Sequence, residues 1–303
     1  EPPPLTWWDL PLEAGSVVPE DRSRFLRLHA ASASAPPEGA HGTAVVIHGG
    51  YWKNQFGLDD AYGNAGTASL APYFLDRGFA AVELEYRRRD HEGGGWPGTN
   101  EDILRALQRL GELHAAASGK GSDDAEAVMA GADEKCRAAM RFLRPDRVIL
   151  VGHSAGGCLA LWAAHQLAKE PGPVRVAAVI AAAPVADLVA GHELRVSDEG
   201  DAVELYMKCR PESDEALEAY RRASPAALLP VTFPVLVAYG DKDTDVPPGL
   251  CSAYAADARA SAPRHVVELC ISGADHFDVV NAQSDAWKGA IAPALAELIT
   301  QRS

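Results

Sequence analysis

Short, mainly apolar runs recur along the chain at 43–47, 79–86, 147–151, 176–182, 234–239 and 266–271. Most lack the in-and-out alternation of a half-exposed strand, so they need cover on both faces. Between them lie longer stretches of helical character, at 66–76, 99–114, 157–169, 248–260 and 282–300. Gly78 is placed to stop the first of these, and Thr99-Asn100-Glu101-Asp102 to open the second. This alternation predicts a mostly parallel central sheet flanked by helices. Ligands of such sheets bind beyond the carboxyl ends of the strands. The chain carries no internal repeat, and its 303 residues suit a single α/β domain over 1–303.

Two segments interrupt the pattern. Residues 115–136 are rich in Ala, Gly and Asp and read as a flexible acidic insertion with a helical second half. Residues 187–225 are charged and mixed, with a helix-like stretch near 214–221. Inserted between two strands, they predict a small cap or lid over the strand ends, or else a solvated surface excursion. At the start, 1–10 reads as an extended arm whose Trp7 and Trp8 dock on an apolar surface, and 31–42 as a loop between early strands.

The candidate chemistry sits at the strand ends. Gly152-His153-Ser154-Ala155-Gly156 directly follows the run 147–151 and directly precedes a helical stretch. A serine in a G-x-S-x-G turn between strand and helix is lifted above the sheet as a nucleophile. A free serine is a weak nucleophile, so this motif predicts a base and an acid further along. His276 follows the turn Ser272-Gly273-Ala274-Asp275 after the last run and is the predicted base; His265 leads into that run and reads as structural. The predicted acid is Asp243, which matches G-x-x-D-x-x-V-P after Gly240, with Asp241 as the competitor. The same turn resembles the opening of a calcium loop. That reading fails because the sixth position is Val246 and the twelfth Ser252. The oxyanion donors are predicted to be the N–H groups of Gly50, Tyr51 and Ala155, the first two from the loop His48-Gly49-Gly50-Tyr51-Trp52. His48 is predicted to fix the shape of that loop, and Tyr51, Trp52, Trp96 and His153 to line the substrate site. Gly93 to Gly98 spells G-x-G-x-x-G, but it stands away from its strand and contains Pro97, so it reads as a loop near the pocket mouth. Arg87-Arg88-Arg89 reads as a solvated or ion-paired loop.

Composition narrows the partners. Against 28 Lys and Arg stand 42 Asp and Glu, and the net charge of −14 disfavours nucleic acid and anionic membranes. No apolar run approaches the roughly 18 residues of a membrane span. The first residue is Glu1, so the chain reads as trimmed or processed, with no signal-peptide pattern. Five scattered cysteines without a C-x-x-C pair favour a reducing, cytoplasmic setting and argue against structural zinc. No H-x-H or H-E-x-x-H spacing occurs, so neither a metal nor another cofactor is expected. The expected partner is a small-molecule substrate, with a homodimer allowed.

Taken together, His48-Gly49-Gly50-Tyr51-Trp52, the serine turn, the acid turn and Gly273-Ala274-Asp275-His276-Phe277 resemble the α/β-hydrolases. Within that fold the H-G-G-x-W loop is most similar to the kynurenine formamidase and small-carboxylesterase branch. Tyr86-Arg87, Pro97 and Asp102 resemble the corresponding region of hormone-sensitive-lipase-like esterases. The resemblance runs from about residue 43 to the last helix and leaves the acidic insertion unmatched. It implies cofactor-free hydrolysis by Ser154, Asp243 and His276 through an acyl-enzyme, on a small acyl ester or an aryl formamide. A carboxylesterase without formamidase activity is the first alternative. A catalytically silent ligand receptor on the same fold is the second.

Overall fold

A computed structural model describes residues 5–13, 21–32, 35–36, 38–60, 66–170 and 172–300. The first four residues of the expected arm and residues 33, 34 and 37 of the expected early loop lie outside these. Eight strands form one sheet: β1 (Trp7–Leu10), β2 (Phe25–His29), β3 (Thr43–Ile47), β4 (Ala80–Glu85), β5 (Val148–His153), β6 (Val176–Ala182), β7 (Val235–Gly240) and β8 (Val266–Ile271). Their order is β1-β2-β4-β3-β5-β6-β7-β8. The six predicted apolar runs make its parallel body, and β1 and β2 extend it as an antiparallel edge. Trp7 therefore pairs as a strand residue and stays 47% exposed, with the Arg27 guanidinium 5.2 Å from its ring. This corrects the expectation that both tryptophans dock on an apolar surface: successive strand side chains face opposite ways, and only Trp8 packs against the core.

That alternation also builds two apolar layers. Val45, Leu150, Val179 and Val237 face one core, roofed by α2 (Gly98–Ala117), α5 (Ala155–Lys169) and α9 (Pro248–Ser261). Val46, Ile149, Val151, Ile180 and Leu236 face the other, covered by α1 (Leu70–Leu75) and α10 (Ala292–Thr300). Helices on both faces are what the uninterrupted apolar strands require.

The segment 115–136 is helical over most of its length. It holds the end of α2, α3 (Asp123–Gly131) and the start of α4 (Glu134–Phe142). Ala125, Val128, Ala132 and Cys136 are buried from it, and Asp133 caps α4 by accepting the Cys136 N–H at 2.8 Å. Its helical apolar spacing prevails over its Gly- and Asp-rich composition. Residues 187–225 form α6 (Leu188–Glu193), α7 (Ala202–Met207) and α8 (Asp214–Ala223), inserted between β6 and β7. They are knitted into the main core. Tyr206 is fully buried, stacks on Trp52 at 4.2 Å and donates to the Asn100 side-chain oxygen at 2.5 Å. No helix among the described residues is long and apolar enough to cross a membrane.

Candidate active site

Pairing in register brings several strand ends together. Ile47 of β3 pairs with Gly152 of β5, and Gly240 of β7 with Ile271 of β8. The loops carrying the oxyanion-loop glycines, the serine, the acid and the histidine therefore leave the sheet on one side. Ser154 stands at the junction of β5 and α5 with φ 56° and ψ −118°. A non-glycine residue held there costs on the order of 1–3 kcal/mol and persists only where its surroundings fix it. They do: its N–H donates to the Ala182 carbonyl at 2.8 Å, and its own carbonyl accepts from Gly157 at 2.9 Å. Close packing explains the flanking glycine. A Cβ on Gly156 would fall 2.2 Å from the Ile47 carbonyl oxygen. The helix can approach the end of β3 only without that side chain.

The histidine and the acid meet as one pair. His276 Nδ1 donates to Asp243 Oδ2 at 2.7 Å, and both residues are buried. The other Asp243 oxygen accepts the N–H groups of Asp245 at 2.9 Å and Val246 at 2.8 Å. The carboxylate is thus held from both sides, which fixes the face of the imidazole it supports. Asp241 lies in the same turn but bonds elsewhere, to Gly273 N–H at 2.7 Å and Ser272 Oγ at 3.1 Å. The Gly273 N–H holds its carboxyl below the usual range.

His153 ties the serine turn to the histidine loop. Its Nε2–H donates to the His276 carbonyl at 2.9 Å, and the two rings lie 4.4 Å apart. Burial and then the neighbouring His276 push its pKa well below the ordinary value, so the ring is neutral and Nδ1 is an acceptor.

The H-G-G loop lies directly against the serine: a Cβ on Gly49 would come within 3.0 Å of Ser154 Cβ. Gly50, Tyr51 and Trp52 follow with φ of 103°, 53° and 56°. Three successive residues of this kind turn the backbone sharply, and their neighbours pay for it with contacts. Tyr51 donates its hydroxyl to Asp245 at 2.7 Å, joining the loop to the acid turn. His48 donates Nδ1–H to the Gly49 carbonyl at 2.8 Å and stacks on Tyr86 at 4.4 Å, as its shape-fixing role requires. Trp52 is wholly covered by its stack on Tyr206, and His153 is only 2% exposed. Both are covered by protein, as are Ser154 and His276. Trp96 is half-buried against Trp162, and Tyr51 keeps a small exposed edge.

Glu85 was not singled out from the sequence, and Asp245 stood there only as one of the three aspartates of the acid turn. Glu85 ends β4 and gathers His48 Nε2 at 3.2 Å, the Leu58 N–H at 2.7 Å and the Arg88 guanidinium. Burial alone would raise its pKa, but His48 and Arg88 bring it below the usual carboxylate range. The two acids of the otherwise apolar strand Ala80–Glu85 were the available signal, since a buried carboxylate must be paired. The arginine run behaves as expected: Arg87 pairs with Asp102 at 2.7 Å, Arg88 with Glu85, and Arg89 with Asp201 at 3.4 Å. Among the described residues, Asp243, Asp245 and His276 group their ligand atoms within 4.8 Å, a spacing that could hold a metal ion. Their donors already have protein partners, since Asp243 bonds His276 and Asp245 bonds Tyr51.

Residues 112–291 match the prolyl oligopeptidase family. The chain belongs to that family. The matched stretch includes Ser154, Asp243 and His276, whereas the His48–Trp52 loop lies before it. Solved structures give the same fold. A truncated carbohydrate esterase from gut microbiota is 18% identical, with TM-score 0.69, over 97% of this chain and 96% of that one. Esterase B from Lactobacillus rhamnosis is 19% identical, with TM-score 0.67, over 99% and 89%. Thermogutta terrifontis esterase 2, phosphoramylated by tabun, is 18% identical, with TM-score 0.60, over 100% and 96%. No curated protein matches the chain by sequence. The fold is therefore that of the α/β-hydrolases, and membership of the family makes the chain a serine hydrolase. The formamidase branch rests on the H-G-G-x-W loop alone, outside the family match.

Proposed function

We propose that this family member is a carboxylesterase acting on small acyl esters through a covalent acyl-enzyme. The observation that carries the reading is the 2.7 Å bond from His276 Nδ1 to Asp243, on a loop that His153 anchors to the serine turn. Ser154 Oγ attacks the ester carbonyl carbon, and His276 Nε2 takes the hydroxyl proton. Asp243 holds the ring in the tautomer with Nε2 free to accept, and stabilises the imidazolium that forms. The N–H groups of Gly50, Tyr51 and Ala155 receive the oxyanion. His276 returns its proton to the leaving alcohol as the C–O bond breaks. Water, deprotonated by His276, then attacks the acyl carbon and releases the acid and Ser154.

A small acyl group suits the crowding of the serine by the Gly49–Trp52 loop and by Tyr51, which reaches across to Asp245. One esterase of this fold is phosphoramylated by tabun, so a fluorophosphonate is a fitting probe. Labelling of Ser154 together with turnover of p-nitrophenyl acetate is the expected result. A folded sample that neither labels nor turns over acetyl or butyryl esters overturns the proposal. The second reading, an aryl formamidase, is favoured by His48-Gly49-Gly50-Tyr51-Trp52. Turnover of an aryl formamide above that of the acetyl ester would select it.

A further inference from the structure

We propose a second binding site, at the amino ends of the central strands, for a small amphipathic anion. A cavity of about 650 Å³ opens there, within the range of small-molecule sites. Phe74, Phe79, Leu295 and Ile299 give it an apolar floor. Arg77, Arg144, Arg147 and Lys288 stand around it, and Glu38 is the one acidic residue in its lining. Four cations against one acid is the reverse of the chain as a whole, where 42 acidic residues outnumber 28 basic ones. Anions repelled by the rest of the surface are therefore drawn to this face.

The cations differ in what they already hold. Arg144 is paired with Asp146 at 2.8 Å. Arg77 lies over the Tyr73 ring at 3.7 Å and donates to the Tyr73 carbonyl at 3.0 Å. Lys288 donates to the Gln283 carbonyl at 2.7 Å. Arg77 and Lys288 are exposed, and the partners they show are a ring and backbone carbonyls rather than carboxylates. Stacking fixes the plane of the Arg77 guanidinium while leaving donors for a ligand, the geometry that suits a carboxylate or sulfonate. An alkyl or aryl body would then lie on Phe74, Phe79 and Leu295. The site is separate from the serine. Arg147 precedes β5 and Ser154 follows it, so the two sit at opposite ends of one strand, about 23 Å apart at roughly 3.3 Å per residue.

The test uses the fluorescence of 8-anilinonaphthalene-1-sulfonate on protein whose Ser154 has been blocked with a fluorophosphonate, or on Ser154→Ala protein. Saturable binding is expected, with displacement by decanoate and at least about tenfold weaker displacement by acetate, which lacks the body, and by decanol, which lacks the charge. Arg77→Ala combined with Lys288→Ala should weaken decanoate about tenfold and leave ester turnover of the unblocked enzyme unchanged. Decanol competing as well as decanoate would reduce the cavity to an apolar patch and overturn the proposal. So would undiminished decanoate binding by the double variant, or no displacement at all.

Discussion

His153 and His276 are 123 residues apart in the chain, yet the ring of the first donates to the backbone carbonyl of the second at 2.9 Å. The residue preceding Ser154 thereby holds the loop that carries His276, the proposed base. His153→Ala should lower kcat by about 10–100-fold with little change in KM, on the scale of a misplaced catalytic group. His153→Gln, which can still donate, should recover part of the loss. A purely structural role would instead lower the melting temperature and leave kcat per folded molecule intact, and a thermal scan beside the kinetics separates the two.

Ser154→Ala should abolish fluorophosphonate labelling and lower kcat at least about 10³-fold. Melting should be unchanged or slightly raised, because the backbone bonds from Ser154 to Ala182 and Gly157 do not involve the hydroxyl. Active, cleanly folded Ser154→Ala protein would remove the serine from the mechanism.

Asp243→Asn and Asp241→Asn make a pair. Only Asp243 bonds His276, so its change should cost about 10⁴ in kcat by favouring the wrong tautomer. Asp241→Asn touches the Gly273 turn and should cost far less. The reverse order of activities would show that the acid had been misassigned.

The helices of 187–225 should act as part of the core. Tyr206→Ala removes the stack on Trp52 and the bond to Asn100, and should destabilise the fold by about 3–5 kcal/mol while disturbing the oxyanion loop. Glu199→Gln removes the rim pair with Lys53 and should leave the urea midpoint unchanged. A Tyr206→Ala protein as stable as its parent would mean the segment is a detachable lid.

His165 gives a pH prediction. Burial, and then the Lys169 charge, lower its pKa from 6.5 to about 4. The unfolded chain therefore binds the extra proton first, and stability falls as pH drops from about 6.5 towards 4. This one group contributes a slope of up to about 1.4 kcal/mol per pH unit in that window. His165→Gln should flatten the urea midpoint between pH 6 and 4.5 relative to the parent. An unchanged slope would show that the ring titrates normally.

Much of this was legible in the sequence because it is local. The apolar runs gave the six parallel strands, since an uninterrupted run can be stable only when covered on both faces. The serine turn was legible because strand, glycine spacing and helix lie together between Val148 and Lys169, and the histidine and acid turns because each directly follows a strand. The helices of 115–136 were harder to read, because the burial of Val128 and Cys136 decides them and composition pointed to a loop.

By itself, then, the sequence determined the class of sheet, the serine turn between strand and helix and the loops that carry Asp243 and His276, all features set by short-range pattern. Tertiary structure decided the rest, because each remaining choice depends on contacts between distant residues. It decided that His276 takes Asp243 while Asp241 turns to Gly273, although two residues separate them. It stacked Trp52 on Tyr206 and turned the His153 ring towards the His276 carbonyl. It also gathered Arg77, Arg144, Arg147 and Lys288 around one cavity, a charge pattern that no linear stretch of this acidic chain displays.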